Sequence, residues 1–279
     1  MFSIECSERT YAVNNILAGH TNSYHTYTLD DALRGIAAAG FKYVELSAVR
    51  GWTEHVPLDA TDAQVAAIQA NMAQLGLQAS ALSGHSDLTT AEGVGLGKMA
   101  VDLCAKLDLT LLNTAIGGHY SEDENRDAFM ANIHELADYA AARGVTIGLE
   151  VHGDIMATGQ RSIPLLQEIG RPNIGINYDT GNCVFYGGVQ AVDDLRGLAP
   201  HLVHVHLKDK VGGKKVWNFP GVGEGEVDFG AVLQILREDG YSGPTSVEIE
   251  FSGEPWPPLA EVDRAMQVSY RTLHALGMA

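Results

Sequence analysis

The stretch TLDDALRGIAAAGFKYVEL, Thr28–Leu46, decides how the rest of the chain is read. Leu29, Ala32, Leu33, Ile36 and Ala37 recur at the spacing of one helical face. Thr28 stands before them with a side-chain oxygen suited to the first free amides, and Gly40 stands where a left-handed residue ends a helix. A short strand, YVEL (Tyr43–Leu46), follows almost at once. A helix leading directly into a strand is half of a βα repeat, so the fold turns on how often the unit recurs.

It recurs to the end of the chain. Thr61 and Gln64 form a capping box that opens TDAQVAAIQANMAQLG, and Gly76 closes it. LQASALS is a strand, Lys98–Leu107 a helix, and LTLLNT the next strand. Ser121 and Glu124 cap a helix running to Arg143, with Gly144 after it. Then come the strand VTIGLE, a helix SIPLLQEIG with Pro164 in its first turn, the strand NIGINYD and a helix around Val189–Leu198. HLVHVHL and PTSVEIE are further strands, separated by the helix DFGAVLQILREDG, and LAEVDRAMQVSYRTLHALG is the last helix. Seven strands, each followed by a helix, and an N-terminal strand at Phe2–Glu5 or Tyr11–Ile16 make eight βα units. That pattern predicts an α/β fold, a (β/α)8 TIM barrel, with residues 1–279 forming a single domain. An open doubly wound sheet is the rival, but no GxGxxG opens a helix after the first strands.

Composition narrows the function. The chain has 279 residues, 46% of them apolar, and a net charge of -17. That acidity disfavours nucleic acid, whose binding relies on basic surface, and a polybasic membrane anchor. No apolar run approaches the roughly 20 residues of a membrane span, and MFSIECSERTY lacks the pattern of a signal peptide. Cys6, Cys104 and Cys183 are widely spaced and odd in number, as expected of reduced thiols in a cytoplasmic protein.

In a barrel of this kind the active site lies where the strands end. The strand ends here offer Glu45, His85, Glu150 and His152, Asp179 and Asn182, His204, His206, Lys208 and Lys210, and Glu248 and Glu250. Residues two apart share a strand face, so His204 and His206 both look into the lumen while Val205 and Leu207 pack under helices. Consecutive strands thus end in Glu, Asp, His and Glu. Three carboxylates pointed together repel one another unless a cation compensates. Oxygen ligands with one imidazole suit a divalent ion: Mn²⁺ first, with Mg²⁺ or Co²⁺ as alternatives, and zinc less favoured. Asp209 and Lys210 read as solvated loop charges. Trp217 and Asn218, and on the other side Trp52 and His55, sit in loops able to wall a pocket.

The run GLEVH, YDTGN, HVHLKD and VEIE, in that order, resembles the xylose-isomerase-like TIM barrels, as does the segment PGVGEGEVDF. These include ketose 3-epimerases, hydroxypyruvate isomerase and inosose dehydratase. The resemblance spans essentially the whole chain and implies Glu150, Asp179, His206 and Glu248 as metal ligands. It further implies that Glu150 and Glu248 move the proton, one on each face of the sugar, with His204 in support. Glu250 is the alternative ligand on the last strand. His85, His152, Asn182, Lys208, Glu45 and Trp217 are the residues expected to meet a small sugar or keto-sugar. Asn182 stands where the epimerases carry a histidine, and HLKDK where they carry a glutamate-containing loop.

The favoured reading is therefore a divalent-metal-dependent isomerase or epimerase working through an enediolate, with Lys208, Lys210 and Arg50 available for an anionic group. A lyase using the same chemistry is the alternative, motivated by His152 and Lys208, and a non-catalytic sugar-binding subunit is a third. Homo-oligomer formation is left open by the sequence.

Overall fold

The computed structural model describes residues 16–117 and 126–278. Eight parallel strands pair in chain order and close, β8 hydrogen-bonding back to β1. The first half runs β1 (Leu17–His20), α1 (Leu29–Ala39), β2 (Tyr43–Ser47), α2 (Asp62–Gln74), β3 (Gln78–Ser83), α3 (Ala91–Lys106), β4 (Leu111–Thr114) and α4 (Arg126–Ala141). The second runs β5 (Thr146–Glu150), α5 (Gly159–Ile169), β6 (Ile174–Asp179), α6 (Ala191–Asp194), β7 (Leu202–Leu207), α7 (Phe229–Glu238), β8 (Thr245–Val247) and α8 (Leu259–Ala275).

Local signals act as the sequence suggests. Thr28 caps α1 in a reciprocal box with Asp31, and Gly40 ends the helix at φ 116°. Thr61 and Gln64 form the box that opens α2. Strand alternation then sorts the side chains. On β2, Val44 and Leu46 are buried against helices while Glu45 enters the lumen; on β7, Val205 and Leu207 face out and His204 and His206 face in. The apolar layer between strands and helices is the main core. Among the described residues, no helix is long and apolar enough to cross a membrane.

Several elements depart from expectation. The described first strand is Leu17–His20, just after the proposed Tyr11–Ile16; Phe2–Glu5 and most of that second candidate lie outside the described residues. LAGH is short and contains glycine, so it carries no alternation to read. The proposed caps Ser121 and Glu124 also lie outside the described residues. Thr158 caps α5 earlier than expected, which puts Pro164 inside the helix rather than in its first turn. The region of Val189–Leu198 holds only the single turn α6, because a π-helical turn at Cys183–Gly187 precedes it. β8 ends at Val247, so Glu248 and Glu250 project from the extension beyond it, where Phe251 pairs with Phe219.

Candidate active site

Strand register assembles the centre. Asp179 at the end of β6 lies opposite His206 on β7, Glu150 ends β5, and Glu248 follows β8. One ligand-type atom from each of Glu150, Asp179, His206 and Glu248 lies within 4.8 Å of all the others, and all four residues are buried. His206 Nδ1 is 3.6 Å from Glu150 Oε2, 3.8 Å from Asp179 Oδ2 and 3.4 Å from Glu248 Oε2.

Each carboxylate is held from outside by donors. Glu150 Oε1 accepts from Asn182 Nδ2 at 2.9 Å, and His85 Nε2 lies 3.1 Å from Oε2. Asp179 Oδ1 accepts the backbone amides of Gly181 and Asn182, while Oδ2 is buried with no hydrogen-bond partner. Glu248 Oε1 accepts from Asn22 Nδ2 at 2.9 Å and has His20 Nδ1 at 3.1 Å. Its Oε2 accepts from Lys208 Nζ at 3.2 Å.

Charge in this buried space is finely balanced. Burial opposes ionisation of Glu150, but His85 and His206 together lower the carboxyl to about 2. Burial likewise opposes the Glu248 carboxylate, and Lys208 and His206 hold it well below the ordinary range. Burial lifts Asp179, assisted by Glu150 and Glu248. Burial pushes Glu250 up to about 7 against the pull of Lys208. Burial also disfavours the Lys208 ammonium, yet Glu248, Glu250 and Asp179 together keep it firmly charged. Its Nζ sits 2.6 Å from Glu250 Oε2 and 4.6 Å from the centre of the Phe219 ring.

The centre opens into a cavity of about 250 Å³. His85, His152, Asn182, Lys208, Glu150, Glu248, Glu250 and Trp217 line it. Glu45 does not: it is fully buried beneath His206, on the barrel floor. The expectation of solvated loop charges is corrected at two positions. Asp209 is fully buried and accepts the amides of Lys210, Gly223, Gly225 and Val227, and Lys210 is buried with Nζ donating to the carbonyls of Val211 and Gly212. Trp52 lines the cavity, but His55 is turned away onto the Tyr27 carbonyl and Asn218 is not in the wall. Arg50 pairs with Glu54 and Asp59 outside the cavity.

Asn22, His20, Ser83 and Tyr186 could not be foreseen from sequence pattern. Asn22 joins two parts of the site: its Nδ2 donates to Glu248, and its Oδ1 accepts from Trp52 Nε1 at 3.0 Å and Thr53 Oγ1 at 2.6 Å. It lies on a one-turn 3-10 helix after β1, where no periodicity marks it. Tyr186 OH lies 3.0 Å from His152 Nε2 and comes from the π-helical turn.

Known proteins place this arrangement. Residues 33–272 match the family model described as xylose isomerase-like TIM barrel. The L-ribulose 3-epimerase of Methylomonas sp. (strain DH-1) is 30% identical over 80% of this chain and 78% of its own. The L-ribulose-5-phosphate 3-epimerase UlaE of Salmonella typhi is 26% identical over 84% of this chain and 86% of its own. The crystal structure of a Methylomonas D-allulose 3-epimerase in complex with D-allulose superposes with a TM-score of 0.71 at 24% identity, covering 94% of this chain and 96% of that one. Barrel, site and relatives together define an enzyme of the isomerase and epimerase type. The chain belongs to the xylose isomerase-like TIM barrel family.

Proposed function

We propose that this chain is a divalent-metal-dependent 3-epimerase of an unphosphorylated ketose. What carries the reading is the convergence of Glu150 and Glu248, from β5 and from beyond β8, with Asp179 and His206 between them on β6 and β7. The donor set fits a divalent cation. Three buried carboxylates converge on one imidazole nitrogen, and Asp179 Oδ2 points among them without a hydrogen bond, an arrangement costly in the absence of positive charge. Glu150, Asp179, His206 and Glu248 would hold the ion; Mn²⁺ is the first choice for an oxygen-rich set, with Mg²⁺ or Co²⁺ next. When bound, such an ion polarises the sugar's ketone and offsets negative charge developing on its oxygen.

The chain's own groups do the rest. One of Glu150 and Glu248 accepts the proton from the carbon beside the ketone, and the other, once it has taken a proton from solvent, supplies it to the opposite face. His85 beside Glu150 and Lys208 beside Glu248 steady whichever carboxylate is ionised. Asn22 and Asn182 fix the two carboxylates through their outer oxygens. Trp52 and Trp217 wall the cavity mouth.

Charge argues for a neutral substrate. Lys208 is the one lysine or arginine in the described cavity wall, and it is engaged by Glu250 and Glu248. No further lysine or arginine of the described cavity wall is left for a phosphate, against four carboxylates in or beside the cavity. Of the two epimerase relatives, the one named for free L-ribulose is therefore the better guide than the one named for the 5-phosphate.

The test is incubation of the Mn²⁺-supplemented protein with free ketopentoses and ketohexoses, and with their phosphates, in D₂O. NMR should show deuterium at carbon 3 and inversion there, for free sugars only. Glu150→Gln should lower exchange by roughly 10²–10⁴-fold with an unchanged circular dichroism spectrum. Turnover of the phosphates alone defeats the neutral-substrate reading. Products lacking water or a carbon fragment would favour a lyase instead, the alternative that the Lys208 ammonium beside Glu248 keeps worth testing.

A further inference from the structure

His206 can serve a cation only through a nitrogen without a proton, so something must decide which of its two nitrogens that is. The deciding contact lies on the barrel floor. His206 Nε2 is 3.1 Å from Glu45 Oε2, and both side chains are fully buried. An ionised carboxylate only accepts, so the nitrogen facing it carries the hydrogen. In the neutral ring Nδ1 is then bare, and Nδ1 is the atom surrounded by Glu150, Asp179 and Glu248 at 3.6, 3.8 and 3.4 Å.

Glu45 is itself fixed. Its Oε1 accepts from Asn113 Nδ2 at 2.7 Å. Asn113 on β4 has room because residue 148 on β5 is glycine: a Cβ there would lie 2.4 Å from Asn113 Oδ1. Two further lumen histidines lie near Glu45: His20, its register partner on β1, and His204, which is satisfied elsewhere. Its Nδ1 is 2.9 Å from Asn177 Oδ1 and its Nε2 3.0 Å from Ser246 Oγ, leaving Glu45 Oε2 at 3.6 Å. Glu45, His204 and His206 are close enough to suggest a second cation site. Their hydrogen bonds instead form a network supplied by β2, β4, β6, β7 and β8.

We infer that Glu45 is a positioning residue: its hydrogen bond to Nε2 aims Nδ1 of His206 at the cation site and so sets metal affinity. The inference rests on the cation reading of the Glu150, Asp179, His206 and Glu248 set, and it assigns Glu45 to the metal's support rather than to the sugar.

The probe is Mn²⁺ alone, titrated calorimetrically into the full chain and into Glu45→Gln. The substitution keeps the side chain's size: with its oxygen still accepting from Asn113 Nδ2, the new amide turns an N–H toward His206 Nε2 in place of an acceptor. Losing a carboxylate partner of a metal-bound histidine typically costs 10–100-fold in affinity, so Mn²⁺ should bind Glu45→Gln roughly 10–100-fold more weakly. Unchanged affinity in a folded Glu45→Gln overturns the inference and leaves the cation reading intact. A parent protein that binds no Mn²⁺ overturns the cation reading, and the inference falls with it. Should Glu45→Gln not fold, ¹⁵N-histidine spectra of the parent protein decide. With Mg²⁺ bound, a proton on Nε2 of His206 alone supports the inference, and a proton on Nδ1, alone or with one on Nε2, overturns it.

Discussion

Lys208 is the residue at which charge bookkeeping and packing meet. Its ammonium is buried within reach of Glu248, Glu250 and Asp179, and an anionic ligand would have to draw it away from them. Breaking a buried pair from one side leaves a charge without compensation, a loss of about 3–5 kcal/mol. Lys208→Met should therefore lower the unfolding free energy of the metal-free protein, read from urea titration, by that order, and Lys208→Met with Glu250→Gln should recover much of it. Equal losses in both variants would show that Glu250 is not the carboxylate that depends on the lysine. Residues such as Lys208, Glu150, Asp179, His206 and Glu248 were legible in the sequence because strand alternation and strand ends give a side chain's direction without any contact being known. Asp209 was not. Its partners are amides up to 18 residues away, and a charged residue just past a strand looks the same whether it is solvated or buried.

At the scale of elements, Asp209 clamps the segment between β7 and α7. Oδ1 accepts from Lys210 and Val227 and Oδ2 from Gly223 and Gly225. Residue 225 must be glycine for this approach, since a Cβ would lie 2.3 Å from Oδ1. Asp209→Asn removes one acceptor oxygen, with an expected cost of about 1–3 kcal/mol. Hydrogen exchange should accelerate at the Gly223 and Gly225 amides, with β2 and β3 unaffected; uniform acceleration would mean that the clamp stabilises the whole barrel rather than one segment. The helices and central strands could be read because caps and periodicity are local. The first strand, the π-helical turn and the truncated β8 could not, because pairing with distant segments sets their limits. Asn22 and His20 were missed for the same reason, lying on β1 and the turn after it.

For the molecule as a whole, the centre ties together four consecutive strands, β5 to β8, and is braced by Asn22 from the turn after β1 and by Glu45 from β2, so occupancy and global stability should be linked. A ligand that binds only the folded state adds about 2.7 kcal/mol at one hundred times its dissociation constant. Mn²⁺ should raise the thermal midpoint in a concentration-dependent manner, and a chelator should return it to the starting value. A midpoint indifferent to Mn²⁺, Mg²⁺ and Co²⁺ would remove the metal from the proposed function. The net charge of -17 acts in the same direction, since any bound cation reduces self-repulsion in the folded chain.

The hydrogen bond from Trp52 to Asn22 has a practical consequence for anyone wishing to alter which sugars enter. Of the two tryptophans at the mouth, Trp52 is tied through Asn22 to Glu248, so replacing it would disturb a carboxylate at the centre. Trp217 leans edge-on against Phe185 and Phe219 and, among the described residues, has no such hydrogen bond. Directed evolution of substrate range thus has one free gatepost and one fixed, and libraries are better spent on position 217.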